Sequence, residues 1–396
     1  MRGDILSING RELNIMPGLA KPVTTPSGDV YKFFIGHDLD LYYIKSTNNM
    51  LSWAYPVKIV AGSVNGAAVW YDRWTPGDSG NLIHIAVIDS AVHDITYDSL
   101  DTSSDTLSGN VQVFNGASLG GGTNSCVTIS KMRGGNLGIV FDGDGGTETG
   151  FYRSTDGGAT WGSRADPNEA TTDYYMFYPD NAADNQDGIL VFWDRNANEI
   201  SVKSYDDSAD SWGETSVATS MIDVPTGQGS SQFSGAVRLS DSKLILTAWE
   251  NADTATAKLR LWEINTASTI TEKTNVITSS GGNQKHCAIS IDSNDDVYVY
   301  YLGATDGSET VAASFGVGSS LCHCYYKRSV DGGANWGSET KISEVTRNLS
   351  YLASANNLYG RPCVEYGETH SANTVMNYYC PSVFVNQTVF MNGGFN

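Results

Sequence analysis

One short phrase recurs along the chain and restricts its fold more than any other feature. YRSTDGGATWGS at 152–163 returns as KRSVDGGANWGSET at 327–340. Weaker copies are IKSTNNMLSWAYPVKI at 44–59 and VKSYDDSADSWGETSV at 202–217. Ser and Trp stand seven residues apart from Ser154 to Trp161, Ser329 to Trp336 and Ser46 to Trp53, and eight apart from Ser204 to Trp212. Two more hairpins occupy the right places without the tryptophan, TYDSLDTSSDTLS at 96–108 and LWEINTASTITEKT at 261–274. A fixed period of this kind marks an array of like units, each burying its core against its neighbours.

From Ser46 to Ser329 is 283 residues over five intervals, about 57 per unit, so six units use about 340 of the 396 residues. Helical periodicity is nearly absent. Short runs rich in Val, Ile, Tyr, Phe and Trp alternate instead with Gly, Asp, Ser and Asn clusters. Examples are VYKFFI (30–35), NLIHIAVI (81–88), GILVFW (188–193), KLILTAW (243–249) and DVYVYYL (296–302). Runs bounded by turn formers read as strands, and four per unit suit a propeller blade. The predicted fold is therefore all-β: a six-bladed β-propeller of four-stranded antiparallel blades, with a seventh blade left open.

A strand opening on small residues precedes each hairpin: Ala67-Ala68-Val69, Cys126-Val127, Ala236-Val237, Cys287-Ala288 and, after the last hairpin, Cys363-Val364. Small side chains suit the innermost strands, where backbones crowd the axis; Tyr174-Tyr175-Met176 is the bulky exception. The run near 362–366 is expected to return and complete the first blade, which removes sheet edges. The expected division is an N-terminal arm or accessory strand over 1–29, the propeller over 30–366, and C-terminal strands over 367–396 that close or extend it.

The repeated turn has its own chemistry. An Asp side chain accepts from backbone N–H groups of its own loop. Gly supplies a conformation closed to residues with a Cβ, and the Trp opens the next strand and packs between sheets. Ser154, Asp156, Gly158, Thr160 and Trp161, then Ser329, Asp331, Gly333 and Trp336 with Asn335 in place of Thr, match Ser-x-Asp-x-Gly-x-Thr-Trp. In these residues the chain resembles the Asp-box, or BNR-repeat, proteins of the sialidase superfamily. The resemblance implies an Asp-box propeller in which those residues are structural.

With strands A to D counted from axis to rim, the repeated turn joins C to D and shares a face with the A–B turns. The opposite, mouth face carries the B–C loops and the D–A connections. Arg73, Arg133, Arg153, Arg164 and Arg328 fall on the turn side, and Arg195, Arg347 and Arg361 on the mouth side. The resemblance implies, for an active sialidase, three arginines clamping a carboxylate, a Tyr nucleophile activated by Glu, and an Asp acid/base. Guanidinium is the group suited to a carboxylate. The weak catalytic candidates are Arg195, Arg347, Arg361 and Glu250, with Asp194 and Tyr378 beside them. Nothing in the sequence fixes their mutual geometry.

Other constellations favour structure over chemistry. Asp142 and Asp144, with Glu148, offer closely spaced oxygens for Ca²⁺, but an acidic Gly-rich hairpin loop explains them as well. Asp292, Asn294 and Asp296 lack the glycine and closing glutamate of a calcium loop and read as an A–B turn. His84 and His286 read as core histidines, and Trp70, Tyr71 and Trp74 around Arg73 as packing between blades. The six cysteines have neither a disulfide-scaffold density nor zinc spacing and read as buried thiols. No metal and no cofactor are expected.

Net charge decides among partners. At −20 the chain is no nucleic-acid binder, because phosphate contact needs a basic surface. The opening MRGDILSINGRELNIMPG holds no apolar run fit for a secretory signal, and no membrane-spanning stretch is present, so no membrane insertion is expected. Phrases such as WYDRWTPGDSGNLIHIAVID resemble sialidase-like BNR proteins encoded by tailed phages. That resemblance implies a non-catalytic structural or binding component of a larger assembly, a virion tail or head surface. Its partners would be other virion proteins and a cell-surface glycan. The alternatives are an exo-sialidase or related glycoside hydrolase or lyase, and a freestanding glycan-binding module.

Overall fold

The computed structural model describes the chain from Lys21 to Tyr359 apart from residues 117–125, 143–148, 168–171, 195–198, 222–232, 251–256, 279–285, 310–321, 343–348 and a few single positions; beyond these limits it describes the strands 2–6, 364–370, 373–379 and 388–389. Among the described residues the regular structure is all strand except one 3₁₀ turn, Asp72–Trp74. No helix there is long and apolar enough to cross a membrane.

Six antiparallel sheets, each built on four successive strands, follow one another between Val23 and Lys341 as the repeat predicts. Their innermost strands are Val23–Thr24, Val64–Tyr71, Cys126–Lys131, Thr172–Pro179, Phe233–Arg238 and Cys287–Asp292. The small residues named above open or fill four of these strands. Crowded backbones there also trade bonds between sheets. The Phe177 N–H donates to Thr128 Oγ1 (3.1 Å), Ile289 N–H to Ser234 Oγ (3.3 Å), and Ser354 Oγ to the Ile289 carbonyl (2.6 Å). A hydroxyl is the shortest side chain able to satisfy a neighbour's unpaired backbone group.

The sheets pack face to face through aromatic residues. Phe151, in the third sheet, meets Phe177, Tyr205 and Trp212 of the fourth at centroid distances of 5.4, 4.6 and 5.3 Å. Burying a side chain of that size stabilises the fold by about 2–3 kcal/mol.

The ends of the chain depart from expectation. Val364–His370 does not complete the first blade. It lies between Leu349–Ser354 and Asn373–Tyr379 in a further sheet, where Arg2–Leu6 pairs antiparallel with Asn373–Tyr379 and parallel with Thr388–Val389. The first sheet is completed from its own side by Val23–Thr24, inside the leading segment and ahead of residue 30. A turn over Thr25–Asp29, closed by the Gly28 N–H on the Thr25 carbonyl at 2.9 Å, brings Thr24 opposite Val30. Two residues suffice because Val23 is fully buried and needs no longer strand to anchor it. Leu349–Ser354 runs beside the innermost strand of the sixth sheet, and Asn357–Leu358 pairs parallel with it. First and last sheets are joined by a buried Lys32–Glu365 ion pair at 2.7 Å, and the Tyr359 N–H, just past Asn357–Leu358 of the sixth sheet, donates to Thr24 Oγ1 at 3.2 Å. Breaking such a pair by removing one partner typically costs about 3–5 kcal/mol.

Candidate functional site

The turn face is tightly bonded. At 154–161, Ser154 Oγ donates to Asp156 Oδ1 (2.8 Å) and accepts from the Gly158 N–H (2.8 Å). The same carboxylate accepts from the Thr160 N–H (2.9 Å) and hydroxyl (2.6 Å). At 329–336 the bonds repeat at 2.8, 2.8 and 2.8 Å, and Asn335 Nδ2 replaces the hydroxyl at 2.7 Å. These contacts hold the Asp156 and Asp331 carboxyls down at about 2, the Thr160 and Asn335 side-chain bonds contributing most. Gly158 (φ 97°) and Gly333 (φ 90°) lie in the left-handed region; a Cβ there would overlap the Tyr97 ring and Leu261 respectively.

Beneath the first of these turns runs a buried polar chain. Lys131 Nζ reaches Asp78 (2.7 Å) and Asp72 Oδ1 (2.6 Å); the same oxygen faces His84 Nε2 (2.9 Å), whose Nδ1 faces the Tyr97 hydroxyl (2.8 Å). Burial pushes the Asp72 carboxyl up, but the His84 and Lys131 bonds and the Leu82 N–H outweigh it and hold it at about 2. Tyr97 donates onward to the Gly157 carbonyl (3.3 Å). A Tyr–His–Asp series has the order of a proton relay, yet its tyrosine ends against a backbone turn, so it clamps the second sheet to the third. His84 and His286 are both buried, as expected of core histidines.

The five turn-side arginines are all engaged. Arg153 pairs with Asp207, and Arg164 donates to the Tyr205 hydroxyl (2.8 Å). Arg328 pairs with Asp296, Arg133 donates to the Asp180 carbonyl (2.6 Å), and Arg73 to the Gly80 carbonyl (3.0 Å). Asp292 accepts the Asn294 and Asp296 N–H groups, the A–B turn read from the sequence. Trp70, Tyr71 and Trp74 are buried against one another, and Trp70 also meets Tyr178. The four described cysteines, Cys126, Cys287, Cys322 and Cys324, are buried.

At the axis, Lys21 donates to the Gly235 carbonyl (3.1 Å) and Asn356 Oδ1 (2.5 Å), and its amine lies 5.8 Å from the Tyr178 ring centre. Asn357 Nδ2 donates to the Val237 carbonyl (2.8 Å). These contacts link the lead into the first sheet, the innermost strand of the fifth and the segment after Ser354.

The mouth face carries the catalytic candidates. Glu250 closes its strand paired to Lys258 (3.3 Å) and Arg260 (3.1 Å), and Arg260 is in turn held by Glu272 (2.8 Å). An already double-paired carboxylate staples its hairpin. Arg195, Arg347, Arg361, Asp144 and Glu148 lie outside the described residues. Asp142 and Asp194 end the second strands of their sheets, and Tyr378 sits in Asn373–Tyr379 opposite Gly3 and Glu365. With Asp89 and Glu250, four second strands therefore end in an acidic residue on this face. Among the described residues no group of three His, Cys, Asp or Glu side chains is placed to hold a metal.

Two tyrosines do meet glutamates: Tyr301 donates to Glu339 (2.7 Å) and Tyr325 to Glu309 (2.9 Å), with His323 Nδ1 on the same Glu309 oxygen at 2.5 Å. Burial, then the facing carboxylates, pushes both hydroxyls above the ordinary tyrosine range. Both pairs tie strands of the sixth sheet to that sheet's own loops. Sequence reading missed them, as it missed Asp72, Lys131 and Lys21, because each pairing joins residues from different strands or sheets.

Fold and site together define a class, the all-β propeller with one face committed to internal bonds. No family model matches the chain, and no curated protein does. Among solved structures it is similar to a polysaccharide lyase of family PL25, an ulvan lyase, at 10% identity and a TM-score of 0.56, over 93% of this chain and 95% of that one. It is also similar to the GH74 xyloglucanase from Xanthomonas campestris, at 13% identity and 0.51, over 94% of this chain and 55% of that one. A microbial sialidase aligns over 72% of this chain and 63% of its own at 14% identity and 0.46. At these identities the likeness is one of fold.

Proposed function

We propose that this chain is a glycan-directed propeller that receives an uncharged polysaccharide on its mouth face. The net charge of −20 carries the reading: it repels uronate and sulfate but leaves hydroxyl-rich, neutral sugars free to hydrogen-bond. The fold likeness to an ulvan lyase and a xyloglucanase supports a glycan ligand at the level of architecture. On this reading the Ser-x-Asp turns are Asp boxes, remote from the ligand. Affinity electrophoresis tests it: neutral glucans, xyloglucan or arabinan retard the full chain, and acidic glycans do not. Retention by acidic glycans alone, or by none, overturns it. New reducing ends or an unsaturated product would make the chain an enzyme.

The second reading, a rigid surface component of a phage virion, rests on the sequence phrases and the acidic composition, which keeps many copies soluble before assembly. Mass spectrometry of purified particles decides it. Particles lacking the polypeptide remove this reading and leave the glycan reading intact.

A further inference from the structure

Lys21 is buried where three distant parts of the chain meet: the lead into the first sheet, the innermost strand of the fifth, and the segment after Leu349–Ser354. Its donor count is informative. An ammonium carries three N–H groups and a neutral amine two. Two oxygens receive it, the Gly235 carbonyl and Asn356 Oδ1. Neither is charged.

Among the described residues the surroundings offer no counter-charge. From Thr172–Pro179 comes Tyr178, whose hydroxyl is already donated to the Gly235 carbonyl at 3.0 Å. Asp180, the next titratable group on that side, accepts the Asn181 N–H. From Phe233–Arg238 comes a carbonyl, while Arg238 is engaged by Asp241 and Glu263. From the segment after Ser354 come two amides, Asn356 and Asn357. Trp70 meets the Tyr178 ring from the second sheet. No carboxylate or imidazole is among the described partners of Lys21.

We propose that Lys21 is a protonation-sensitive latch, tying the lead into the first sheet and the segment after Ser354 to the fifth sheet as a neutral amine and weakening that closure when it takes up a proton.

Burial supports this by pushing the amine down from its ordinary 10.5 to about 7. The sign follows from linkage. Between pH 7 and 10.5 the unfolded chain holds a proton that the folded chain does not, so stability falls as pH falls through that window. Below about 7 both states are protonated and the loss is constant.

The test is urea unfolding of the full chain from pH 6 to 10, comparing wild type, Lys21→Met and Asn356→Asp. From pH 7 to 10 the folding constant of wild type is expected to rise, relative to Lys21→Met, by up to about tenfold per pH unit, the limit for one proton. Asn356→Asp supplies a counter-charge and flattens that rise. Parallel curves for wild type and Lys21→Met overturn the proposal. If Lys21→Met does not fold, the comparison with Asn356→Asp decides, and equal slopes overturn it.

Discussion

The turns at 154–161 and 46–53 have the same bonds on different residues. Ser46 Oγ accepts the Met50 N–H at 2.9 Å where Ser154 accepts Gly158 at 2.8 Å. Asn48 Oδ1 accepts the Ser52 N–H at 3.0 Å where Asp156 accepts Thr160 at 2.9 Å. The loop therefore needs an oxygen two residues after the serine, not a charge. Its fifth position is set by the neighbour. Met50 sits at φ 62° with its side chain buried, whereas Gly158, at φ 97°, is pressed against Tyr97. The copy at 204–212 shows the limit. Its extra residue sends Ser204 Oγ to the Gly213 carbonyl and leaves Asp206 to accept from Ala209.

The largest effect should separate adjacent glycines. Gly158→Ala is expected to cost about 3–4 kcal/mol in urea unfolding, from the wrong backbone region and the overlap with Tyr97 together. Gly157→Ala, at φ 72° with open space around it, should cost about 1–2 kcal/mol. Equal losses would break the steric half of the comparison. Next come the serines. Ser154→Ala and Ser46→Ala each leave an N–H without its acceptor and should lose a similar amount, about 1–2 kcal/mol. A loss at Ser154 alone would mean that the charged turn works by different means.

The smallest effect concerns acid. With Asp156 and Asp331 held at about 2, their stabilisation is present above pH 4 and is lost as pH falls from 4 toward 2. Unfolding midpoints of the Asp156→Asn, Asp331→Asn double variant should fall less steeply over that range than those of wild type. Asn48→Asp should fall more steeply. Both carboxylates are exposed, so salt will shrink the difference.

Local pattern made the strands legible: VYKFFI and GILVFW sit inside the observed strands because alternation and flanking turn formers act over a few residues. The period located six sheets for the same reason. Val23–Thr24 escaped because a two-residue strand has no period, and burial of Val23 is a tertiary fact. The Asp72–His84–Lys131 clamp draws on three strands or turns, and no spacing in the sequence brings them together. Of the candidate site, Glu250 was found by its loop, but its pairing with Lys258 and Arg260 appears only once the hairpin is folded.

The last sheet takes Arg2–Leu6 from one end of the chain and Val364–His370 with Asn373–Tyr379 from the other. During synthesis its earliest strand leaves the ribosome more than three hundred residues before its partner exists. The circle therefore cannot close before those later strands have emerged, and until then the early strand needs either solvent or a temporary host.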